Sequence, residues 1–166
     1  MKIFLCLFAL LFAVLGHAEE KPYFSYGDVH AMGGYPMVGI GLRAQKDVHA
    51  FDLSANVCPW NPPRSLRVFH FRALYLIYPA KEGPYFGVGL GFLNEPETMK
   101  RTSGSFEGAI GWQGKLGRQA RIFLEVDGIV PLYDGIVPFY KAYAASSQGI
   151  QPMSRIWPGL TTGFGF

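Results

Sequence analysis

The chain has 166 residues, a formal net charge of +3 and a composition that is 49% hydrophobic, with 21 glycines. A charge this small and this scattered does not favour nucleic-acid binding. Beyond the first 18 residues, no apolar stretch reaches the roughly 20 residues that a membrane-spanning helix needs.

The N-terminus has the pattern of a cleaved secretory signal peptide. Lys2 precedes an apolar run from Ile3 to Leu15, and the small-x-small sequence Gly16-His17-Ala18 follows. The apolar run is too short to span a bilayer as a helix. We therefore predict a signal peptide at residues 1–18 and one mature domain at residues 19–166, in which Cys58 is the remaining cysteine, so that no intramolecular disulfide can form.

The mature sequence alternates between apolar and small or polar residues over repeated short stretches. In Tyr85–Phe92, for example, every second residue is large and apolar, and the residues between them are Tyr85 and three glycines. Strict alternation of this kind predicts a β-strand with two different environments. We predict eight strands: Pro22–His30, Pro36–Arg43, His49–Val57, Leu66–Tyr78, Tyr85–Phe92, Gly104–Gln113, Ala120–Val130 and Trp157–Phe166.

The connections between these strands differ in length in an alternating way. Those near 44–47, 79–83 and 114–119 are short, whereas those near 58–65, 93–103 and 131–156 are longer. The connection near 31–35 is short where a longer one would fit. A tilted strand crosses a bilayer in about 9–11 residues, and membrane barrels alternate short turns with longer loops. The pattern therefore predicts an all-β, antiparallel, up-and-down transmembrane barrel.

The charged residues of the predicted strands lie opposite the apolar faces. In a barrel whose apolar faces meet lipid, these residues would point into the lumen and pair there, because an unpaired buried charge is costly. The predicted lumen charges are Arg43, Asp52, Arg72, Glu107, Arg121, Glu125 and Asp127. Aromatic residues expected in interfacial girdles on the outside are Tyr75, Tyr78, Tyr85, Trp112 and Trp157.

A tandem repeat begins within the end of the seventh predicted strand and runs into the longest predicted connection. Asp127–Tyr133 reads DGIVPLY, and Asp134–Tyr140 reads DGIVPFY. Two copies are too few for a solenoid, and Pro131 and Pro138 sit poorly in a central strand. The repeat is interpreted either as a surface contact loop or as a local duplication without a role.

The C-terminus ends on an aromatic residue after alternating apolar positions, Leu160-x-Thr162-x-Phe164-x-Phe166. This pattern resembles the closing strand of small, eight-stranded bacterial outer-membrane β-barrel proteins. The resemblance implies that the four residues form the signal read by the barrel assembly machinery. It also implies a Gram-negative outer-membrane location after export, contact with outer-membrane lipid, and a monomer. The rival fold is a soluble sandwich or lipocalin-like barrel, whose second face would carry more solvated residues than the glycines found here.

Chemical motifs are weak in this sequence. His30, His49 and His70 are scattered singly, and no spacing of His and Cys predicts a metal site. We predict no cofactor and no enzymatic activity, and expect a structural or surface-interaction role. The alternatives are a narrow solute channel and a lipid A-modifying hydrolase, for which His70 with Glu107 or Glu125 is the pair to test.

Overall fold

The computed structural model describes residues 23–32, 35–58, 69–95, 101–116, 120–132 and 156–166. They form eight antiparallel strands that close into a single barrel, each strand pairing with its sequence neighbour and β1 pairing with β8. The strands are β1 Tyr23–Met32, β2 Tyr35–Lys46, β3 His49–Val57, β4 Phe69–Ile77, β5 Gly83–Glu95, β6 Arg101–Leu116, β7 Ala120–Pro131 and β8 Trp157–Gly165. The predicted all-β, antiparallel, up-and-down barrel of eight strands is confirmed. The predicted signal peptide, the first predicted strand residue Pro22 and the second copy of the repeat lie outside the described residues.

The observed strands differ from the predicted ones mainly in the residues at which they begin and end. β5 and β6 pair from Gly83 opposite Gln113 as far as Glu95 opposite Arg101. The long connection predicted near 93–103 was therefore wrong in extent, and the residues between these strands are 96–100. Polar residues such as Asn94 and Ser103 interrupt the apolar alternation, although backbone pairing continues through them.

The two ends of the barrel carry different connections. We call the end where β2 meets β3, β4 meets β5 and β6 meets β7, and where Phe166 lies, the short-connection end. The opposite end, where β1 meets β2, β3 meets β4, β5 meets β6 and β7 meets β8, is the long-connection end. At the turn between β2 and β3, Asp47 has φ 55°. This is the left-handed region, which Asp tolerates better than most side chains because it can hydrogen-bond locally.

The strands are strongly staggered around the barrel. Following paired residues once around returns from Gln45 to Tyr35 on the same strand, ten residues away, through Ala50, Leu76, Gly87, Ala109, Asp127, Gly159 and Met32. For eight strands, a stagger of this size corresponds to a strand tilt of about 40°. A barrel of this width has room for side chains but not for a wide channel.

The outer surface of the barrel is apolar. Large hydrophobic side chains point outward from every strand, including Ile40 and Ile110, each 72% exposed. Among the outward strand side chains that the structure describes, Lys46 at the short-connection end is the one Asp, Glu, Lys or Arg residue. The predicted outward faces of β2 to β8 are therefore found as expected, with Phe86, Val88, Leu90 and Phe92 exposed along β5.

Candidate functional site

The inward face of the barrel concentrates its charged side chains. Six of the seven predicted lumen charges are buried at 4% exposure or less, and Arg121 is half-buried near the short-connection end. The buried six are Arg43, Asp52, Arg72, Glu107, Glu125 and Asp127.

Two further lumen residues, Asp28 and His30, were missed from the sequence. Both lie on the inward face of β1 and are buried. That face also carries Phe24, Tyr26 and Met32, whereas the outward face includes Ser25 and Gly27. Because the apolar residues of β1 lie on both faces, the apolar alternation that reveals the other strands is obscured here.

Several lumen contacts converge on Arg43. Its Nε donates to Asp52 Oδ2 at 2.6 Å, and its Nη1 donates to Gln113 Oε1 at 3.0 Å and to the Tyr78 hydroxyl at 3.2 Å. Glu125 Oε2 lies 3.7 Å from its Nη2. Burial raises the pKa of Tyr78, so this phenol stays protonated and donates in turn to Gln113 at 2.9 Å.

Aromatic rings surround the same guanidinium. Its carbon lies 4.5 Å from the ring centre of Phe123, 4.8 Å from that of Tyr85, 5.8 Å from that of Tyr26 and 6.0 Å from that of Phe24. These distances are at or within the range of cation–π attraction. We call Arg43 and these four rings the collar. It fills the lumen at this level with side chains from β1, β2, β5 and β7.

A second arginine links the acids that lie beyond the collar. Arg72 pairs with Glu125 and lies 3.7 Å from both Asp52 and Asp127. The Tyr85 hydroxyl donates to Glu125 at 2.8 Å, and the Tyr26 hydroxyl donates to Asp52 at 2.8 Å. These two collar tyrosines thus hydrogen-bond to two of the acids that lie near Arg72.

Two histidine–carboxylate pairs lie closer to the long-connection end. His70 Nε2 is 2.8 Å from Glu107 Oε1, and His30 Nε2 is 3.3 Å from Asp127. The two imidazole rings are 5.6 Å apart. The fold therefore brings together histidines that are far apart in sequence. Of the two candidate partners of His70, Glu107 is the one it contacts, whereas Glu125 pairs with Arg72.

Inward glycines make these cross-lumen pairs possible. A Cβ on Gly91 of β5 would overlap Glu107 and Ser105, and one on Gly159 of β8 would overlap Asp127 and His30. A Cβ on Gly39 would likewise overlap the hydrogen bond between Asp28 and Asn56. Each of these glycines lies on the strand between the two members of a hydrogen-bonded pair: Gly91 between His70 and Glu107, Gly159 between His30 and Asp127, and Gly39 between Asp28 and Asn56. The absence of a side chain leaves the space in which the pair meets.

Ser105 and His70 are not arranged as a nucleophile and its general base. Ser105 Oγ donates to Glu107 at 2.8 Å rather than to His70. A serine nucleophile needs an imidazole base to take its proton. Within the described ranges, no set of three or more His, Cys, Asp and Glu side chains is arranged to hold a metal ion.

The predicted aromatic girdle is partly wrong. Trp112 and Tyr75 point outward, and the Tyr75 hydroxyl lies 2.7 Å from His49 Nδ1. Tyr78, Tyr85 and Trp157 instead point inward and are buried. Tyrosine and tryptophan suit an interface because one end of the side chain is polar, but in this lumen Tyr78 and Tyr85 hydrogen-bond to other side chains.

The four residues of the C-terminal pattern share the outward face of β8. Leu160, Phe164 and Phe166 are exposed, and the Thr162 hydroxyl donates to the Phe123 carbonyl at 3.2 Å. The backbone of Phe166 makes two hydrogen bonds with Ser25 of β1. The terminal residue thus takes part in barrel closure through its backbone, while its ring, 71% exposed, packs edge-on against Phe164.

The fold is similar to that of one solved β-barrel. The N-terminal β-barrel domain of OprF from Pseudomonas aeruginosa matches with a TM-score of 0.55 and 14% sequence identity, over 87% of this chain and 96% of that one. At this identity the likeness concerns the fold. No protein-family model matches the chain, and no curated protein matches it. Over the described ranges, no helix has the length and apolar character needed to cross a membrane.

Proposed function

We propose that this chain is an integral outer-membrane barrel of a Gram-negative bacterium, with a structural or surface-interaction role. The observation that carries the proposal is the polarity of the two faces of the barrel: hydrophobic side chains cover the outside of the described strands, and most of their charged side chains lie on the inside. A soluble barrel has the opposite arrangement, with its apolar face inward. Hydrocarbon is the solvent in which the observed arrangement is stable.

Export and assembly belong to the same proposal. Residues 1–18 would direct the chain out of the cytoplasm and be removed, and the outward Leu160, Thr162, Phe164 and Phe166 would be read by the assembly machinery. With the N-terminus of β1 and Phe166 both at the short-connection end, that end would face the periplasm. The longer connections 58–68 and 132–156 would then lie on the cell-surface side.

The lumen favours a structural role over the two alternatives. The collar fills the barrel with buried side chains, which disfavours a narrow solute channel. Full burial of His70, together with the bond from Ser105 to Glu107, disfavours a lipid-modifying hydrolase. The chain would act as a monomer, since closure of β1 on β8 leaves no strand edge for pairing with a second copy.

Cell fractionation with heat-dependent electrophoresis tests this proposal. The mature protein should be recovered with outer membranes, and its mobility should differ between unheated and boiled samples because a closed barrel resists the detergent. Recovery in the soluble fraction with unchanged mobility would overturn the proposal.

A further inference from the structure

The outer face of the barrel carries a polar cluster near the short-connection end. Lys46, the last residue of β2, is paired with His49, the first residue of β3, and both side chains are exposed. The His49 ring stacks on the Tyr75 ring of β4 with the ring centres 5.8 Å apart, and the Phe51 ring centre lies 5.2 Å from that of Tyr75. We call these four residues the outer cluster, which spans three neighbouring strands.

The outer cluster lies at the edge of the apolar outer surface. Along β2, every outward residue from Pro36 to Ala44 is apolar, and Lys46 is the next outward residue. Pro36 and Lys46 are ten residues apart. At about 3.3 Å per residue and a tilt of about 40°, this separation corresponds to about 25 Å along the barrel axis. Outer-membrane barrels have an apolar band about 25 Å tall, so the Lys46 ammonium would lie where lipid headgroups begin.

The Lys46 ammonium has no carboxylate partner among the described residues. The adjacent acid, Asp47, pairs instead with Lys81 at 3.4 Å. Another cation at this end, Lys115, pairs with Glu82. Lys46 is therefore available to pair with an anion from outside the protein.

The His49–Tyr75 pair supplies a hydrogen-bond donor beside Lys46. The Tyr75 hydroxyl and His49 Nδ1 are 2.7 Å apart, so one of them donates to the other. If the hydroxyl donates, the imidazole carries its N–H at Nε2. If Nδ1 donates, the hydroxyl proton is left over. In both arrangements the pair keeps one donor that it does not use internally.

We propose that the outer cluster binds the phosphodiester of an anionic glycerophospholipid, in the leaflet that surrounds the short-connection end. The Lys46 ammonium pairs with the phosphate, the spare donor of the His49–Tyr75 pair hydrogen-bonds to it, and the Phe51 ring lies against an acyl chain. Charge complementarity favours an anionic lipid over phosphatidylcholine, whose headgroup carries its own cation. This inference rests on the proposed function, which places the outer cluster in the periplasmic leaflet.

Native mass spectrometry of the folded barrel in detergent micelles tests the site. Phosphatidylglycerol and phosphatidylcholine with the same acyl chains are titrated separately, and the lipids bound to each barrel are counted. We expect one phosphatidylglycerol to bind about fivefold more tightly than phosphatidylcholine, an effect of the size of a partly exposed ion pair. Glycerol phosphate, which is the headgroup without acyl chains, should compete only weakly, because it makes no apolar contact with Phe51.

Two variants and a control locate the binding. Lys46→Gln removes the ammonium and should lower the affinity for phosphatidylglycerol about fivefold, to that for phosphatidylcholine. The double variant His49→Phe with Tyr75→Phe removes the spare donor while keeping both rings, and should lower the affinity severalfold. The matched control is Lys115→Gln, which removes one cation at the same end but outside the outer cluster and should leave the affinity unchanged. Heat-dependent electrophoresis shows whether each variant is folded.

Three results would overturn this inference. One is equal affinity of the wild-type barrel for the two lipids. Another is an equal effect of Lys46→Gln and Lys115→Gln. The third is displacement of the lipid by an equal concentration of glycerol phosphate, which would mean that the site takes a free phosphate. If the double variant does not fold, the comparison of the two lysine variants still decides. A chain that is recovered with outer membranes but shows no lipid preference refutes this inference alone and leaves the proposed function standing.

Discussion

At the scale of single residues, Arg43 shows how a lumen side chain can hold a barrel together. Its side chain contacts groups from β1, β3, β5, β6 and β7 and from the residue after β4. Replacing one partner of a buried ion pair leaves the other charge uncompensated, and such changes typically cost about 3–5 kcal/mol.

We therefore expect Arg43→Met to lower the free energy of unfolding by about 3–5 kcal/mol, measured by urea titration in lipid vesicles. Lys81→Met is the control, because the Lys81–Asp47 pair is exposed and should change stability by less than about 1 kcal/mol. Equal effects of the two substitutions would show that the lumen contacts of Arg43 contribute little.

Glycines on opposite faces of neighbouring strands provide a second residue-scale test. Gly91→Ala places a methyl group where Glu107 and Ser105 lie, and we expect a loss of about 1–3 kcal/mol from overpacking. The methyl group of Gly108→Ala would point outward, 3.9 Å from the Gly87 carbonyl oxygen, and should be tolerated. Similar losses in both variants would mean that strand flexibility, rather than lumen space, explains these glycines.

At the scale of elements, alternation located all eight strands but not every strand end, nor which side chains pair in the lumen. β3 begins and ends where the pattern predicts, because its apolar and polar residues alternate without interruption. β5 and β6 extend further through polar residues. The sequence left Glu107 and Glu125 as candidate partners of His70. The choice of Glu107 depends on the stagger between strands and on Gly91 of β5, the strand that lies between β4 and β6. Aromatic residue type alone also failed to assign Tyr78, Tyr85 and Trp157 to a face.

Substitutions at two outward leucines test whether the middle of the barrel lies deeper in lipid than its end. Leu90 is 60% exposed near the middle of β5, whereas Leu116 is 58% exposed at the end of β6. We expect Leu90→Arg to cost about 2–4 kcal/mol in a bilayer and Leu116→Arg about 0–1 kcal/mol, because the cost of a lipid-facing charge depends on depth. The measurement is urea unfolding in vesicles. A comparable cost at both positions would argue against a membrane-embedded middle section.

The terminal residue Phe166, which follows β8, allows a test that distinguishes barrel folding from recognition by the assembly machinery. Phe166→Ala keeps the two backbone hydrogen bonds to Ser25 and removes an exposed ring. We expect refolding into detergent to be nearly unchanged and membrane levels in cells to fall several-fold, measured by immunoblotting of outer membranes. Phe86→Ala removes another outward ring and is the control. Normal membrane levels of Phe166→Ala would argue against a role for the terminal ring in assembly.

At the scale of the whole molecule, the barrel has the reverse of a soluble protein's polarity, with apolar side chains outside and charged side chains inside. The outside offers apolar side chains around the full circumference, and on the inside most charged side chains form hydrogen bonds or ion pairs, some of which cross a glycine of the intervening strand. Closure of all eight strands leaves no unpaired edge, so the backbone can lie in hydrocarbon without losing hydrogen bonds. A structural barrel with a filled lumen is consistent with each of these features.

Depth-dependent fluorescence quenching tests the central claim most directly. A single cysteine is introduced at Ile110, which is 72% exposed on the outer face, in a Cys58→Ser background, and is labelled with an environment-sensitive dye in reconstituted vesicles. Lys81→Cys, at the exposed turn after β4, is the matched control. If the outer face lies in the bilayer, lipids brominated along the acyl chain will quench the dye at position 110 and iodide in water will not, with the reverse at position 81. Strong iodide quenching at position 110, with no effect of the brominated lipids, would contradict the transmembrane barrel.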